Sequence, residues 1–175
     1  RPVFIGPLVG LACGGLEAGL ALGALFEFLS FDSEPMGSAI PMNSAVAASS
    51  AALMAAGPDL VPLAAAFPAG AALGFLHRGL EIRIRQRRGA LTLRAGRELQ
   101  SNGRVAWEPL LAASAWPHLL STALVVGLGT ALLSPLALAA WIIMPRAVLR
   151  ALEFAFDASL WIALACLLRA LGRRK

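Results

Sequence analysis

Glu27 lies in the stretch LALGALFEFL, where its neighbours are alanine, glycine, leucine and phenylalanine. A carboxylate in such a run costs a few kcal/mol unless something partners it. An ionised carboxylate accepts from two donors at once, and an amide such as Asn43, which follows a Pro- and Gly-containing polar stretch, offers both a donor and an acceptor. Together they suit a ligand that presents an array of hydroxyls. Glu27 can equally hold a subunit contact or a helix N-terminus, and the residues alone leave both readings open. Glu17 and Glu34 have weaker claims, because each lies near an expected turn where water reaches it.

The remaining reactive side chains are sparse. His77 and His118 are the only histidines. His77, beside Arg78, reads as an interfacial residue at a helix end, and His118, after Pro117, as a packing or hydrogen-bonding group. Cys13 and Cys166 sit in apolar runs without metal-ligand spacing and read as small buried side chains. No phosphate-binding GxxxxGK[ST] loop and no HExxH helix occurs, which removes nucleotide hydrolysis and metalloprotease chemistry. No catalytic residue, metal or cofactor is expected. Arg150, Glu153 and Asp157 are spaced by three and four, so one helical face can carry all three and let them pair, against a polar neighbour or along a transport path.

The elements that must position these groups are set by composition. The chain of 175 residues is 58% hydrophobic and 14% charged, whereas soluble domains run near half apolar and a quarter charged. Residues 45–57 and 119–133 offer no polar face at all, so lipid rather than water is the expected solvent. The net charge of +5 is concentrated. Eight arginines fall between residues 78 and 104, and Arg169, Arg173, Arg174 and Lys175 close the chain, the pattern of cytoplasmic ends under the positive-inside rule. No aromatics interleave the basic run, so a nucleic-acid surface is not expected. Anionic headgroups are the other partner those arginines can serve.

Residues 3–13 and 16–31 are apolar runs separated by Gly14-Gly15, and neither reaches the ~20 residues of a full span. They predict broken or re-entrant helices, which membranes tolerate only where protein or water covers the freed backbone. Residues 31–43 predict irregular backbone, and 44–57, rich in Ala and Ser, a closely packed helix. The fold class expected is an all-α integral membrane protein, a multi-span helical bundle with a cytoplasmic amphipathic helix. It forms one membrane domain: 1–56 the broken helices and candidate site, 57–76 a membrane helix kinked by Pro62 and Pro68, 77–104 the basic segment, and 105–171 two further membrane helices. These two crossings are expected over about 107–133 and 147–171, with 134–145 near the outer interface. The chain opens on Arg1 rather than methionine, and a segment upstream of it is expected.

Arg1-Pro2, Leu8-Val9-Gly10-Leu11, Gly14, Gly19, Gly23, Leu25, Glu27, Gly37 and Pro41 fall in register, without gaps, with the opening of the mannose-type phosphotransferase IIC subunits. The chain resembles that family closely through residue 56 and more loosely beyond. The resemblance implies a sugar-translocating subunit in the bacterial inner membrane. It would work with a homologous IID-type membrane subunit, further copies of itself, and a cytoplasmic IIAB phosphocarrier that phosphorylates an incoming hexose. It also implies a helix before Arg1 and a hydrophobic segment after Lys175. On this resemblance Glu27 and Asn43 become the substrate-binding candidates, facing one cavity. Three positions depart from the family pattern: Gly15 and Asn43 stand where the family carries aspartates, and Phe26 separates Leu25 from Glu27 where the family has Leu-Glu. The alternative reading is a membrane scaffold or assembly partner in which the acids serve packing alone.

Overall fold

The computed structural model describes residues 1–30 and 41–172. Among the described residues all regular structure is helical. Six helices follow in order: α1 (Pro2–Ala12), α2 (Leu16–Ser30), α3 (Ser44–Ala56), α4 (Leu63–Asn102), α5 (Trp107–Ile143) and α6 (Arg146–Gly172). Glu34 and the rest of the expected irregular segment up to residue 40 lie outside the described residues.

The break at Gly14-Gly15 is real. Gly14 has φ 81°, a left-handed conformation that glycine adopts without steric cost, and the chain reverses there. Helices α1 and α2 then fold back on one another as an antiparallel hairpin. Their glycines set the spacing: a Cβ built on Gly6 would lie 2.5 Å from the Gly19 carbonyl oxygen and 2.7 Å from Gly23 Cα. At 1.5 Å per residue, α1 is only about 16 Å long, well short of the ~30 Å hydrocarbon core.

Helix α3 is made almost wholly of small residues, and nine of its positions are buried. It packs against α2, α1, α4 and α5, and so occupies the centre of the molecule. Ala47, Ala48 and Ala51 meet Leu22 and Phe26 of α2 on one side, and Val46 and Met54 meet Leu73 of α4 and Val125 of α5 on another. Close approach of this kind, rather than large side chains, is the usual basis of helix association in lipid. Phe26, Phe67 and Phe156 stack across α2, α4 and α6, with ring centroids 4.9 and 6.1 Å apart.

Helices α4 and α5 form a long antiparallel pair, joined through Gly103, whose φ of 64° ends α4 with a left-handed cap. Leu73 packs at Gly129, His77 bonds Thr122, and the Arg88 guanidinium donates to the Ser114 carbonyl at 3.2 Å. The basic segment expected at 77–104 is therefore the second half of one 40-residue helix, with no break at residue 76. Pro62 caps α4 rather than kinking it, and only Pro68 lies inside. Helix α5 likewise continues through Ser134 and Pro135 to Ile143, past the end at 133 that the sequence suggested. The Ser134 hydroxyl donates to Asp59 Oδ2 at 2.6 Å, which ties the α3–α4 turn to this extension.

Helix α5 and residues 146–169 of α6 are long and apolar enough to cross a membrane. Both leave large apolar side chains uncovered, among them Ile142, Phe154 and Trp161, each more than 70% exposed. Faces of that size suit lipid or a protein partner and not water. The expected pairing of Arg150, Glu153 and Asp157 is not seen. All three are exposed, and among the described residues the ion pairs are Arg1–Glu27, Arg85–Glu81 and Arg94–Glu98. Three- and four-residue spacing puts these side chains on one face without bringing their charged ends into contact.

Candidate functional site

Asn43 is the N-cap of α3, and its Oδ1 accepts from the Val46 N–H at 3.1 Å. Capping fixes which end of the amide is which, because the capping atom must be the oxygen. The nitrogen therefore faces the other way, 3.2 Å from His77 Nδ1 and 3.4 Å from Glu81 Oε2. Backbone geometry brings these groups together: the Asn43 N–H donates to the Gly74 carbonyl at 3.4 Å, and a Cβ on Gly74 would lie 2.9 Å from the Asn43 carbonyl oxygen. Only glycine lets the start of α3 approach α4 this closely.

His77 is completely buried, within an unbroken helix and not at its end, which corrects the interfacial reading. Its second ring nitrogen, Nε2, lies 3.1 Å from Thr122 Oγ1 on α5. His118, one turn before Thr122, packs edge-on against His77 with centroids 5.9 Å apart, and its buried Nδ1 has no hydrogen-bond partner among the described residues. Glu81, one turn beyond His77, also accepts from Arg85 at 2.9 Å. Three helices thus converge on one polar cluster in apolar surroundings, where an unmatched group costs more than it would in water.

The cluster borders a cavity of about 530 Å³ between α1, α3 and α5. Its polar lining comes from Asn43, Ser49, His118 and Thr122, and Ile5 and Val46 supply part of its apolar wall. One polar edge on an apolar chamber matches a molecule with hydroxyls on one side and C–H groups on the other.

Glu27 is not among the residues lining this cavity. Its carboxylate lies at the start of α1, where Oε1 pairs with Arg1 and Oε2 accepts from the Val3 N–H, each at 3.4 Å. A carboxylate against the open N–H groups of a helix start is favoured by the helix dipole. This is the helix N-terminus arrangement that the residues left open. The expectation that Glu27 and Asn43 face one cavity is not met by the cavity that Asn43 lines. Glu27 touches it only indirectly, by holding the start of the helix that contributes Ile5. Sequence reasoning missed His77 and Thr122 as members of the Asn43 cluster. They stand 34 and 79 positions from Asn43, and no spacing rule links residues on three separate helices.

A family model described as the sorbose-specific IIC component of the phosphotransferase system (PTS) matches residues 1–175. Neither a curated protein nor a solved structure matches the chain.

Proposed function

Because the chain belongs to the family of PTS sorbose-specific IIC components, which are membrane transport subunits, we propose that it translocates a hexose across the bacterial inner membrane. A IID-type membrane subunit completes the pathway, and a cytoplasmic IIAB phosphocarrier phosphorylates the sugar as it arrives. The basic half of α4 and the arginine-rich C-terminus face the cytoplasm, and the α1–α2 hairpin is re-entrant. Further copies of the chain cover the exposed faces of α5 and α6.

The observation that carries this reading is the cavity between the half-length helix α1, α3 and α5, with its single polar edge. Asn43 contacts the hexose from the cavity wall. Glu27 is a second substrate-binding residue outside this cavity, at the start of α1, where it meets the sugar at another point of its path. Its bonds to Arg1 and Val3 are long, so sugar hydroxyls can replace them. A second reading, a scaffold that has lost transport, is favoured by the internal use of the Asn43 amide in three hydrogen bonds.

Hexose binding and uptake by the reassembled complex separate the two. Glu27→Gln keeps the shape and removes the charge, and should weaken binding by roughly 1.5 to 3 kcal/mol, the worth of hydrogen bonds to a charged group. Asn43→Ala should weaken it as well. If both variants assembled and transported as the parent does, the scaffold reading would replace this one.

A further inference from the structure

The hydrogen-bonding chain from Asn43 has a direction, and it ends in the cavity. With Oδ1 committed to the Val46 N–H, the Asn43 amide presents only N–H groups to His77. His77 Nδ1 must therefore accept, and a neutral imidazole that accepts at Nδ1 carries its proton on Nε2. That proton goes to Thr122 Oγ1. Thr122, having accepted, keeps its own O–H free. The other threonine of α5, Thr130, turns its hydroxyl back to the Val126 and Gly127 carbonyls of its own helix. Thr122 has no such bond, and its side chain lines the cavity beside Asn43.

We propose that Thr122 is a further substrate-binding residue, donating its hydroxyl proton to a sugar oxygen, and that His77 is the positioning residue that aims it. His77 does not line the cavity and is fully buried, so it acts only through its two neighbours. The pair would convert a cap on α3 into a directed donor on α5, a polarised chain in which each bond strengthens the next. The ligand class follows from the chemistry. A donor hydroxyl beside an amide, the Ser49 hydroxyl and the His118 imidazole, facing a chamber whose remaining walls are apolar, fits a neutral polyhydroxylated ring, and no lysine or arginine lines it to hold an anion. This inference rests on the proposal that the Asn43 cavity holds the hexose.

The test is hexose affinity of the purified, reassembled complex, measured by calorimetry with D-mannose and L-sorbose. Thr122→Val, which removes only the hydroxyl, should weaken binding about tenfold, the effect of one lost hydrogen bond. Thr122→Ser should recover it. His77 is tested by two amides. Gln places an N–H near the Nε2 position and should restore the aim of Thr122, whereas Asn reproduces only the Nδ1 end and should bind as weakly as Thr122→Val. The amide pair decides the matter if the valine variant fails to assemble. Unchanged affinity in Thr122→Val alongside weakened affinity in Asn43→Ala would overturn the inference and leave the cavity as the sugar site. Unchanged affinity in both would overturn the cavity reading as well.

Discussion

Gly6 and Gly19 face one another across the α1–α2 hairpin so closely that a methyl group on Gly6 would sit 2.5 Å from the Gly19 carbonyl oxygen. Backbone cannot yield as a flexible side chain can. Gly6→Ala should therefore destabilise the protein by about 1 to 3 kcal/mol, the usual cost of overpacking. Gly89 has nothing within 4 Å of a built Cβ and lies inside α4, so Gly89→Ala should stabilise by roughly 0.5 to 1 kcal/mol. Thermal unfolding in mild detergent measures both, and equal responses would contradict the close-packed hairpin.

Asn43→Asp restores the carboxylate that the related loop carries, yet it should impair binding. Aspartate still caps α3, but it cannot donate to His77 Nδ1. The imidazole must then carry a proton on Nδ1, and in the neutral ring Nε2 accepts from Thr122, which reverses the chain and withdraws the hydroxyl from the cavity. Nitrogen-15 NMR of labelled histidine should show the change of tautomer, with hexose affinity lower by about tenfold. An unchanged tautomer would show that the Asn43 to His77 bond does not set the direction.

Gly15→Asp, the other departure from the family pattern, is opposed on steric grounds. A Cβ there would lie 2.5 Å from Ala56 Cβ and 3.1 Å from Ala56 Cα, at the end of α3. Stability should fall by about 1 to 3 kcal/mol, and Ala56→Gly should recover part of the loss. Melting temperatures of the single and double variants, assembled with their partner, give the coupling directly.

The orientation of the α4–α5 tip is tested by labelling. Gln100 is exposed near the end of α4, and a cysteine there, with Cys13 and Cys166 replaced by alanine, should resist membrane-impermeant maleimide in intact cells and react after permeabilisation. Reaction in intact cells would invert the topology.

The helical class, the break at Gly14-Gly15 and the small-residue helix α3 were legible because each rests on local chemistry: apolar run length, a glycine pair, a stretch of alanine and serine. Boundaries within long helices were not. Polarity changes at His77 and Ser134, but backbone hydrogen bonding continues through both, so a change of solvent is not a change of conformation. Asn43 stands out in the sequence for its side chain and its place after an irregular stretch, and it does line a cavity. Its partners were hidden because they come from helices that only the tertiary fold brings together. Glu27 stands out as an acid in an apolar run, and its observed partners, Arg1 and the Val3 N–H, are the kind that remove the cost of burying it.

The continuity of α4 makes it a lever. His77 and Gly103 belong to the same unbroken helix and its cap, about 39 Å apart along the axis at 1.5 Å per residue. A tilt of about 10° pivoting at His77 would sweep the Gly103 tip through about 7 Å at that rise. Because α5 runs beside α4 over this length, bonded at Thr122 and Ser114, such a tilt would carry both helices together. With that pivot, a force on the arginine-bearing tip would arrive at the buried imidazole as torque.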